Sequence, residues 1–273
     1  KKLIAQAADN VLRVSMELGG NAPFVVFDDA DLDAAVEGAL AAKFRNVGQA
    51  CTAANRFIVH SSVADEFARR VTESVGAMTV GAGTEDGVQI GPLINQAAVD
   101  KAAALVADAA SRGAQVRIGG NAIEGDGTFY EPTVLTDVKP GSEILREEIF
   151  GPVLAIATFD TEDEAVALAN DTEYGLVSYV FTKDLARGHR MIDRLETGMM
   201  GLNVGVVSNA AAPFGGVKQS GMGREGGLEG TVWVDNPRDR LLPGEDRDGE
   251  LVELDGEAVD AAVVLDDLLG PGD

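Results

Sequence analysis

The chain contains one cysteine, Cys51, which follows the run Gly48-Gln49-Ala50. A thiol attacks electrophiles as its thiolate, and the backbone amides at a helix N-terminus stabilise a thiolate. Because a helix-prone stretch follows, we expect this turn to place Cys51 at a helix N-terminus. The alternative is a buried thiol that packs as a small hydrophobic side chain, the commoner role of a lone cysteine. The largely polar residues 44–49 favour the nucleophile.

A second candidate group is the carboxylate of Glu17, which interrupts an apolar run and is followed by Leu18, Gly19 and Gly20. A carboxylate at a strand end, beside glycines that let another backbone approach, suits a general base that activates water. The alternative is an ordinary solvent-facing strand residue.

A third pattern comes before a Gly151-Pro152 turn, where Glu148 and Phe150 stand two residues apart. The carboxylate can accept hydrogen bonds from sugar hydroxyls, and the phenyl ring can flank a flat ring. Taken alone, this motif is only suggestive.

Together these motifs resemble the aldehyde dehydrogenase superfamily, and within it most closely the succinate-semialdehyde dehydrogenases. Cys51 lies 34 residues after Glu17, and Glu148 lies 97 residues after Cys51. The resemblance covers residues 1 to about 229. It includes a later run, Pro213-Phe214-Gly215-Gly216-Val217-Lys218-Gln219-Ser220-Gly221.

The resemblance implies a role for each of these residues. Cys51 attacks an aldehyde to give a thiohemiacetal and then a thioester, which Glu17 hydrolyses by activating water. The cofactor is NAD or NADP. Glu148 binds the nicotinamide ribose, Phe150 lines the nicotinamide ring and Leu18 approaches it through its backbone.

The resemblance also implies how a carboxylated substrate is held. Arg45 stands six residues before Cys51, where the related enzymes use an arginine, and Ser208 is our choice for the serine of the later loop. The implied reaction is oxidation of succinate semialdehyde to succinate. The alternatives are glutarate semialdehyde, a generic aliphatic aldehyde, or a fragment without catalytic activity.

Short apolar runs alternate with segments of helical period up to about residue 234, which predicts an α/β fold around a largely parallel sheet. The predicted helices are residues 3–8, 31–42, 63–75, 99–112, 162–170 and 185–195. The predicted strands are residues 11–18, 23–27, 56–60, 116–118, 153–159 and 176–181.

We expect three parts along the chain. Residues 1–18 are a remnant (the last helix and strand) of a dinucleotide-binding domain, and residues 19–230 form the catalytic domain. Residues 231–273 are expected to be a divergent, largely disordered acidic tail in which only residues 258–269 could form a helix. Because most of the cofactor domain has no counterpart here, we expect this chain alone to be inactive.

Composition narrows the remaining possibilities. The net charge is −23, of which residues 235–273 contribute −10 from 13 acidic and 3 basic residues. Such acidity disfavours nucleic-acid binding. One cysteine and two distant histidines give no metal site, and no apolar run is long enough for a membrane span. Without a signal-peptide pattern we expect a cytoplasmic protein, homo-oligomeric (dimer or tetramer) in its full-length form.

Three sequence patterns are set aside. Gly221-x-Gly223-x-x-Gly226 imitates a dinucleotide fingerprint but follows no strand. The aspartates at positions 29, 31 and 33 lack the glycine and glutamate of a calcium loop and fit a helix N-terminus. A glycosylation string at residues 170–172 fits a turn that ends a helix.

Overall fold

A computed structural model describes residues 1–227 and one further strand at 262–265. Its strands are β1 (Met16–Glu17), β2 (Ala22–Val26), β3 (Ala54–His60), β4 (Gln115–Ile118), β5 (Thr133–Thr136), β6 (Val153–Phe159), β7 (Tyr174–Gly175), β8 (Val177–Phe181), β9 (Met199–Leu202), β10 (Val217–Lys218), β11 (Gly221–Met222) and β12 (Ala262–Leu265). Its helices are α1 (Lys2–Ala8), α2 (Leu32–Phe44), α3 (Ser61–Gly76), α4 (Gln96–Ser111), α5 (Glu162–Asn170) and α6 (Leu185–Arg194).

Eight of these strands form one sheet in the order β12-β9-β8-β2-β3-β6-β5-β4. Every neighbouring pair is parallel except β4 and β5, which are antiparallel. The prediction of an α/β fold around a largely parallel sheet is therefore confirmed. Two small antiparallel ladders, β1 with β11 and β7 with β10, lie outside this sheet.

The central strands are buried on both faces, as expected for a parallel sheet covered by helices. In β2, Phe24 and Val26 belong to one hydrophobic cluster. Val25 and the following Phe27 belong to the cluster on the other side. The alternation along one strand thus contributes to two hydrophobic clusters, and the sheet lies between them.

The helix starts follow local side-chain chemistry. Asp31 accepts hydrogen bonds from the N–H groups of Asp33 and Ala34 and caps α2, so this cluster of aspartates starts a helix, as predicted. Thr161 and Glu164 form a reciprocal capping box at α5. All six predicted helices within residues 1–227 are present, with ends that differ by up to three residues.

Several strand predictions were wrong or incomplete. Residues 11–18 were expected to be one strand, but only Met16 and Glu17 pair, with β11. The side chain of Val11 is 92% exposed, so the apolar run there marks no core strand. The short strands β5 and β9 were missed. The helix expected at 258–269 is contradicted where it overlaps β12; its other residues lie outside the described part of the chain.

The candidate functional residues lie at the amino ends of the parallel strands. The segments that immediately precede β2, β3, β6 and β8 meet at this edge: residues 19–20 contact Cys51 and Glu148, and Ser220 joins Gly19 to Gly175. Ligands of open α/β sheets commonly bind beyond the carboxyl ends of the strands. This molecule gathers its candidate groups at the opposite edge.

Candidate active site

Cys51 lies in a tight turn that leads into β3. The N–H of Ala53 donates to the carbonyl of Ala50 at 3.0 Å and closes the turn around Cys51 and Thr52. The predicted helix N-terminus is wrong, because the chain continues into a strand. In place of a helix N-terminus, the backbone N–H groups of Cys51 itself and of Thr52 stabilise the thiolate.

The backbone before Cys51 is left-handed at three consecutive residues. Asn46, Val47 and Gly48 have φ of 52°, 60° and 73°. For Val47, a β-branched residue, this conformation costs of order 1–3 kcal/mol and persists only where surrounding contacts enforce it. One such contact is Gly48, which packs so closely on the carbonyl of Gly151 that a Cβ would overlap it.

Gln49 fixes the same turn from outside. Its side-chain oxygen accepts from the N–H of Ile94 at 2.9 Å, and its side-chain nitrogen donates to the carbonyl of Pro92 at 3.4 Å. The turn that carries the thiol is therefore held by side-chain and backbone contacts rather than by a helix.

The glycine pair that follows Glu17 lies between the cysteine turn and Glu148. The N–H of Gly20 donates to Oε1 of Glu148 at 2.9 Å. A Cβ at Gly20 would lie 2.5 Å from the carbonyl oxygen of Cys51, and one at Gly19 would lie 2.9 Å from Oε2 of Glu148. The neighbour of Gly20 is a main-chain atom, so this approach requires glycine, whereas at Gly19 the Glu148 side chain would have to move.

The carboxylate of Glu17 is buried, and neither oxygen has a hydrogen-bond partner among the described residues. Burial, and secondarily the charge of Glu225, raises the pKa of Glu17 to about 7, although Arg224 opposes the rise. Glu17 is therefore not the solvent-facing strand residue of the alternative interpretation. A carboxylate with a pKa near neutrality is poised to take a proton from water.

Burial also raises the pKa of the Cys51 thiol. The negative charges of Glu148 and Glu17 add to this rise, whereas the N–H groups of Cys51 and Thr52 oppose it. Both carboxylates therefore lie close enough to act on the sulfur. The side chain is partly exposed, so this cysteine is neither a core residue nor a thiol made acidic by its surroundings.

The two candidates for holding a substrate carboxylate differ in how closely the structure ties them to the thiol. The exposed Arg45 and the Cys51 thiol both act electrostatically on the Tyr179 hydroxyl, which donates to the carbonyl of Thr52 at 2.8 Å. Ser208 is exposed and makes no hydrogen bond within the described residues. Its loop packs on α2 through Gly205.

The candidate cofactor contacts surround the same edge. Phe150 is 38% exposed and has a φ of 53°, and Leu18 is 43% exposed with its N–H bonded to the carbonyl of Ser220. Exposed apolar groups beside an available carboxylate oxygen suit a flat ring attached to a sugar.

Two residues that hold the site in place, Ser220 and Lys101, were not predicted from the sequence. The buried hydroxyl of Ser220 donates to the carbonyl of Gly19 at 2.7 Å and accepts from the N–H of Gly175 at 3.0 Å. Lys101, on α4, donates to the main-chain carbonyl of Glu148 at 2.6 Å. Ser220 belongs to the run at residues 213–221 that resembles the family, but no sequence signal distinguished Lys101 from a surface lysine.

The rejected glycine pattern has a structural explanation. Gly221 and Gly223 both have φ of 112° and pack directly on Met16 and Ser15. Residues 1–227 contain no cluster of three or more metal-ligating side chains. No helix in this part of the molecule is long and apolar enough to cross a membrane.

Comparison with known proteins then decides the family. The aldehyde dehydrogenase family matches residues 1–233. The chain belongs to the aldehyde dehydrogenase family. Within that family it is 57% identical over 230 residues to a succinate-semialdehyde dehydrogenase of Paenarthrobacter nicotinovorans, covering 84% of this chain and 51% of that protein.

Two further aldehyde dehydrogenases show the range of similarity. The chain is 50% identical to a glutarate-semialdehyde dehydrogenase of Pseudomonas aeruginosa, covering 84% of this chain and 48% of that protein. The crystal structure of succinate-semialdehyde dehydrogenase from Burkholderia pseudomallei superposes with a TM-score of 0.83 at 53% identity, over 84% of this chain and 48% of that chain. The chain thus spans about half the length of the relatives that it matches.

Proposed function

We propose that this chain carries the catalytic part of an NAD(P)-dependent semialdehyde dehydrogenase in which Cys51 is the nucleophile. One observation carries the proposal. Segments from distant parts of the sequence converge on the thiol, with Gly20 against the Cys51 carbonyl, Glu148 bonded to Gly20, and the Glu17 charge acting on the sulfur.

The residues present fit the nicotinamide end of a dinucleotide. Oε1 of Glu148 is occupied by the N–H of Gly20, which leaves Oε2 as an acceptor for a ribose hydroxyl. The glycine backbone at residues 19–20 packs closely on the Glu148 carboxylate and the Cys51 carbonyl, which keeps that carboxylate beside the cysteine turn. The partly exposed Phe150 and Leu18 can supply apolar contacts. When bound, the nicotinamide supplies the hydride acceptor.

The first step is addition of the thiol to the aldehyde. The sulfur of Cys51 bonds to the carbonyl carbon, and the thiol proton moves to a base, for which Glu17 is available. The backbone N–H of Cys51 can donate to the oxygen on which negative charge develops. The product is a thiohemiacetal attached to Cys51.

The second part of the reaction releases the acid. Hydride leaves the thiohemiacetal carbon for the acceptor, and the proton that Glu17 took from the thiol passes to solvent. A thioester on Cys51 and an ionised Glu17 remain. Glu17 takes a proton from water, the water oxygen bonds to the thioester carbon, and the carbon–sulfur bond breaks. The carboxylic acid leaves, and the thiol of Cys51 is regenerated with the proton held by Glu17.

Arg45 and Ser208 are the proposed contacts for a substrate carboxylate. A guanidinium binds a carboxylate through two parallel hydrogen bonds, so a dicarboxylate half-aldehyde fits better than a neutral aldehyde. Relatives that act on succinate and on glutarate semialdehyde are both about half identical to this chain. Succinate semialdehyde is our first choice, and glutarate semialdehyde is the second.

Alkylation of the sole cysteine tests this proposal directly on the 273-residue chain. Succinate semialdehyde should slow alkylation of Cys51 by iodoacetamide, because a thiohemiacetal removes the free thiol. Butanal is the neutral comparison. Arg45→Ala should weaken protection by the semialdehyde about tenfold, the value of one charge-assisted contact, without altering protection by butanal. Equal protection by the two aldehydes would refute the substrate assignment.

Cofactor reduction is then assayed in a full-length form of the enzyme, with Cys51→Ala as the inactive control. The division into a cofactor-domain remnant, a catalytic domain and a divergent tail stays a prediction. The cytoplasmic location and the homo-oligomeric full-length state also stay predictions.

A further inference from the structure

The loop that carries Ser208 meets helix α2 backbone to backbone. A Cβ on Gly205 would overlap the carbonyl oxygen of Gly38 and would lie 2.7 Å from its Cα. The φ of Gly205 is not positive, so close packing rather than backbone conformation requires glycine at this position. A larger residue at position 205 would therefore separate the loop from the helix.

The helix cannot retreat from the loop, because Gly38 is also packed on the core. A Cβ at Gly38 would overlap the ring of Phe181. This ring is buried and stacks on Phe24, with 4.8 Å between the ring centroids. Close-packed interiors leave little room for such a ring to move. An added methyl group at position 205 must therefore be accommodated by the loop.

The loop is held on both sides of Gly205. The side chain of Asn203 exchanges two hydrogen bonds with the backbone of Thr182, each at 3.0 Å. Val207 is 3% exposed and packs in the main hydrophobic cluster. Ser208 directly follows Val207, so the contacts of residues 203, 205 and 207 together set the position of Ser208 relative to α2.

Helix α2 leads to the other proposed contact for a substrate carboxylate. Arg45 follows the last residue of α2 and stands seven residues after Gly38, roughly 10 Å along a helix axis at about 1.5 Å per residue. The contact between Gly38 and Gly205 thus joins the two segments that carry Arg45 and Ser208. Their separation determines where one carboxylate can reach both groups while the aldehyde carbon lies at Cys51.

We propose that the contact between Gly38 and Gly205 determines substrate specificity by holding the Ser208 loop close to α2, which selects a short semialdehyde. The inference rests on the proposed function for the roles of Arg45 and Ser208. Succinate and glutarate semialdehyde differ by one methylene group. A binding pocket distinguishes one methylene group by roughly 10–200-fold.

Protection of Cys51 from iodoacetamide by the two semialdehydes tests this inference on the 273-residue chain. Gly205→Ala displaces the loop, so we expect protection by the shorter semialdehyde to fall about tenfold relative to protection by the longer one. Butanal and pentanal differ by the same methylene group but have no carboxylate, so their ratio should not change. Gly83→Ala, whose Cβ meets no atom within 4 Å, should leave both ratios unchanged.

Val207→Ala covers the case in which Gly205→Ala fails to fold. It loosens the loop by leaving a cavity rather than an overlap, so it should also lower the preference for the shorter semialdehyde. An unchanged semialdehyde ratio in whichever of these variants folds would overturn the inference. If neither semialdehyde protects the wild-type thiol better than a neutral aldehyde, the substrate assignment itself fails, and this inference fails with it.

Discussion

Glu17 combines a buried position with the absence of any hydrogen-bond partner in the described structure. Such groups are rare because an unpaired buried carboxylate loses its hydration without compensation. In Glu17 this unfavourable burial of the charged form raises the pKa to about 7. The same surroundings that destabilise the charged form make Glu17 a usable base at neutral pH.

We therefore predict that hydrolysis of an acyl group on Cys51 depends on pH through Glu17. Below pH 7 Glu17 is protonated and cannot accept a proton, so the rate should rise with pH around a midpoint of about 7. The measurement is the decay of acetylated Cys51 by mass spectrometry. Glu17→Gln should slow the decay about a hundredfold or more and remove the midpoint. A midpoint that survives in Glu17→Gln would assign the base to another residue.

At the scale of single residues, the sequence predicted which residues form the candidate site better than it predicted their burial, pKa and backbone conformation. The motifs around Glu17, Cys51 and Glu148, with the later run at 213–221, were enough to recognise the family by their identity, order and spacing. They did not predict the raised pKa of Cys51 or the positive φ of Val47 and Phe150, because both depend on packing by distant segments.

At the scale of elements, the close approach of Gly20 to Cys51 joins β2 to β3 at the site. We predict that Gly20→Ala lowers the free energy of unfolding by about 1–3 kcal/mol, since its Cβ would lie 2.5 Å from the Cys51 carbonyl. It should also change the alkylation rate of Cys51. Urea unfolding and iodoacetamide kinetics check the two effects.

Gly83→Ala is the matched control for this substitution. A Cβ at Gly83 meets no atom within 4 Å, so this change should be neutral or slightly stabilising. Equal stability changes in the two variants would show that the approach of Gly20 carries no constraint.

A second prediction concerns Arg56, which fastens α5 to the sheet. Its guanidinium donates to the carbonyls of Asn21, Leu168 and Ala169 and is 3% exposed. Arg56→Met leaves these buried carbonyls without donors, so we expect a loss of about 3–5 kcal/mol in urea unfolding.

Arg69→Met is the control for this loss, because Arg69 forms only exposed ion pairs, each worth about 1 kcal/mol or less. A loss at Arg56 no larger than that at Arg69 would contradict the anchoring role.

Helices and strands with a clear capping or hydrophobic pattern were predictable from the sequence. Strands that form only by pairing with a distant segment were not. The capping chemistry of α2 and the apolar run of β6 identified both. By contrast, β1 and β11 are two residues each and exist only because they pair. Short strands of this kind have no periodicity to read.

At the scale of the whole molecule, we predict that the 273-residue chain binds NAD or NADP weakly. Leu18, Glu148 and Phe150 are candidate contacts for the nicotinamide end of the dinucleotide only. The chain spans about half the length of the relatives that it matches. Saturating dinucleotide should shift the thermal midpoint by less than about 1 °C, because stabilisation requires binding to the folded state. The NADP(+) succinate-semialdehyde dehydrogenase of Escherichia coli is the positive control. A saturable shift would contradict the prediction.

The contact between Ser220 and Gly19 has a consequence for folding. These residues are 201 positions apart, and the bond between Gly20 and Glu148 spans 128 positions. Contacts of such separation form late and slow the search for the native state. At about 5–20 residues per second, a ribosome needs roughly 10–40 s to add Ser220 after Gly19. Throughout that interval Glu17 lacks β11, the strand with which β1 pairs, so the site is completed only after residues 220–222 have been synthesised.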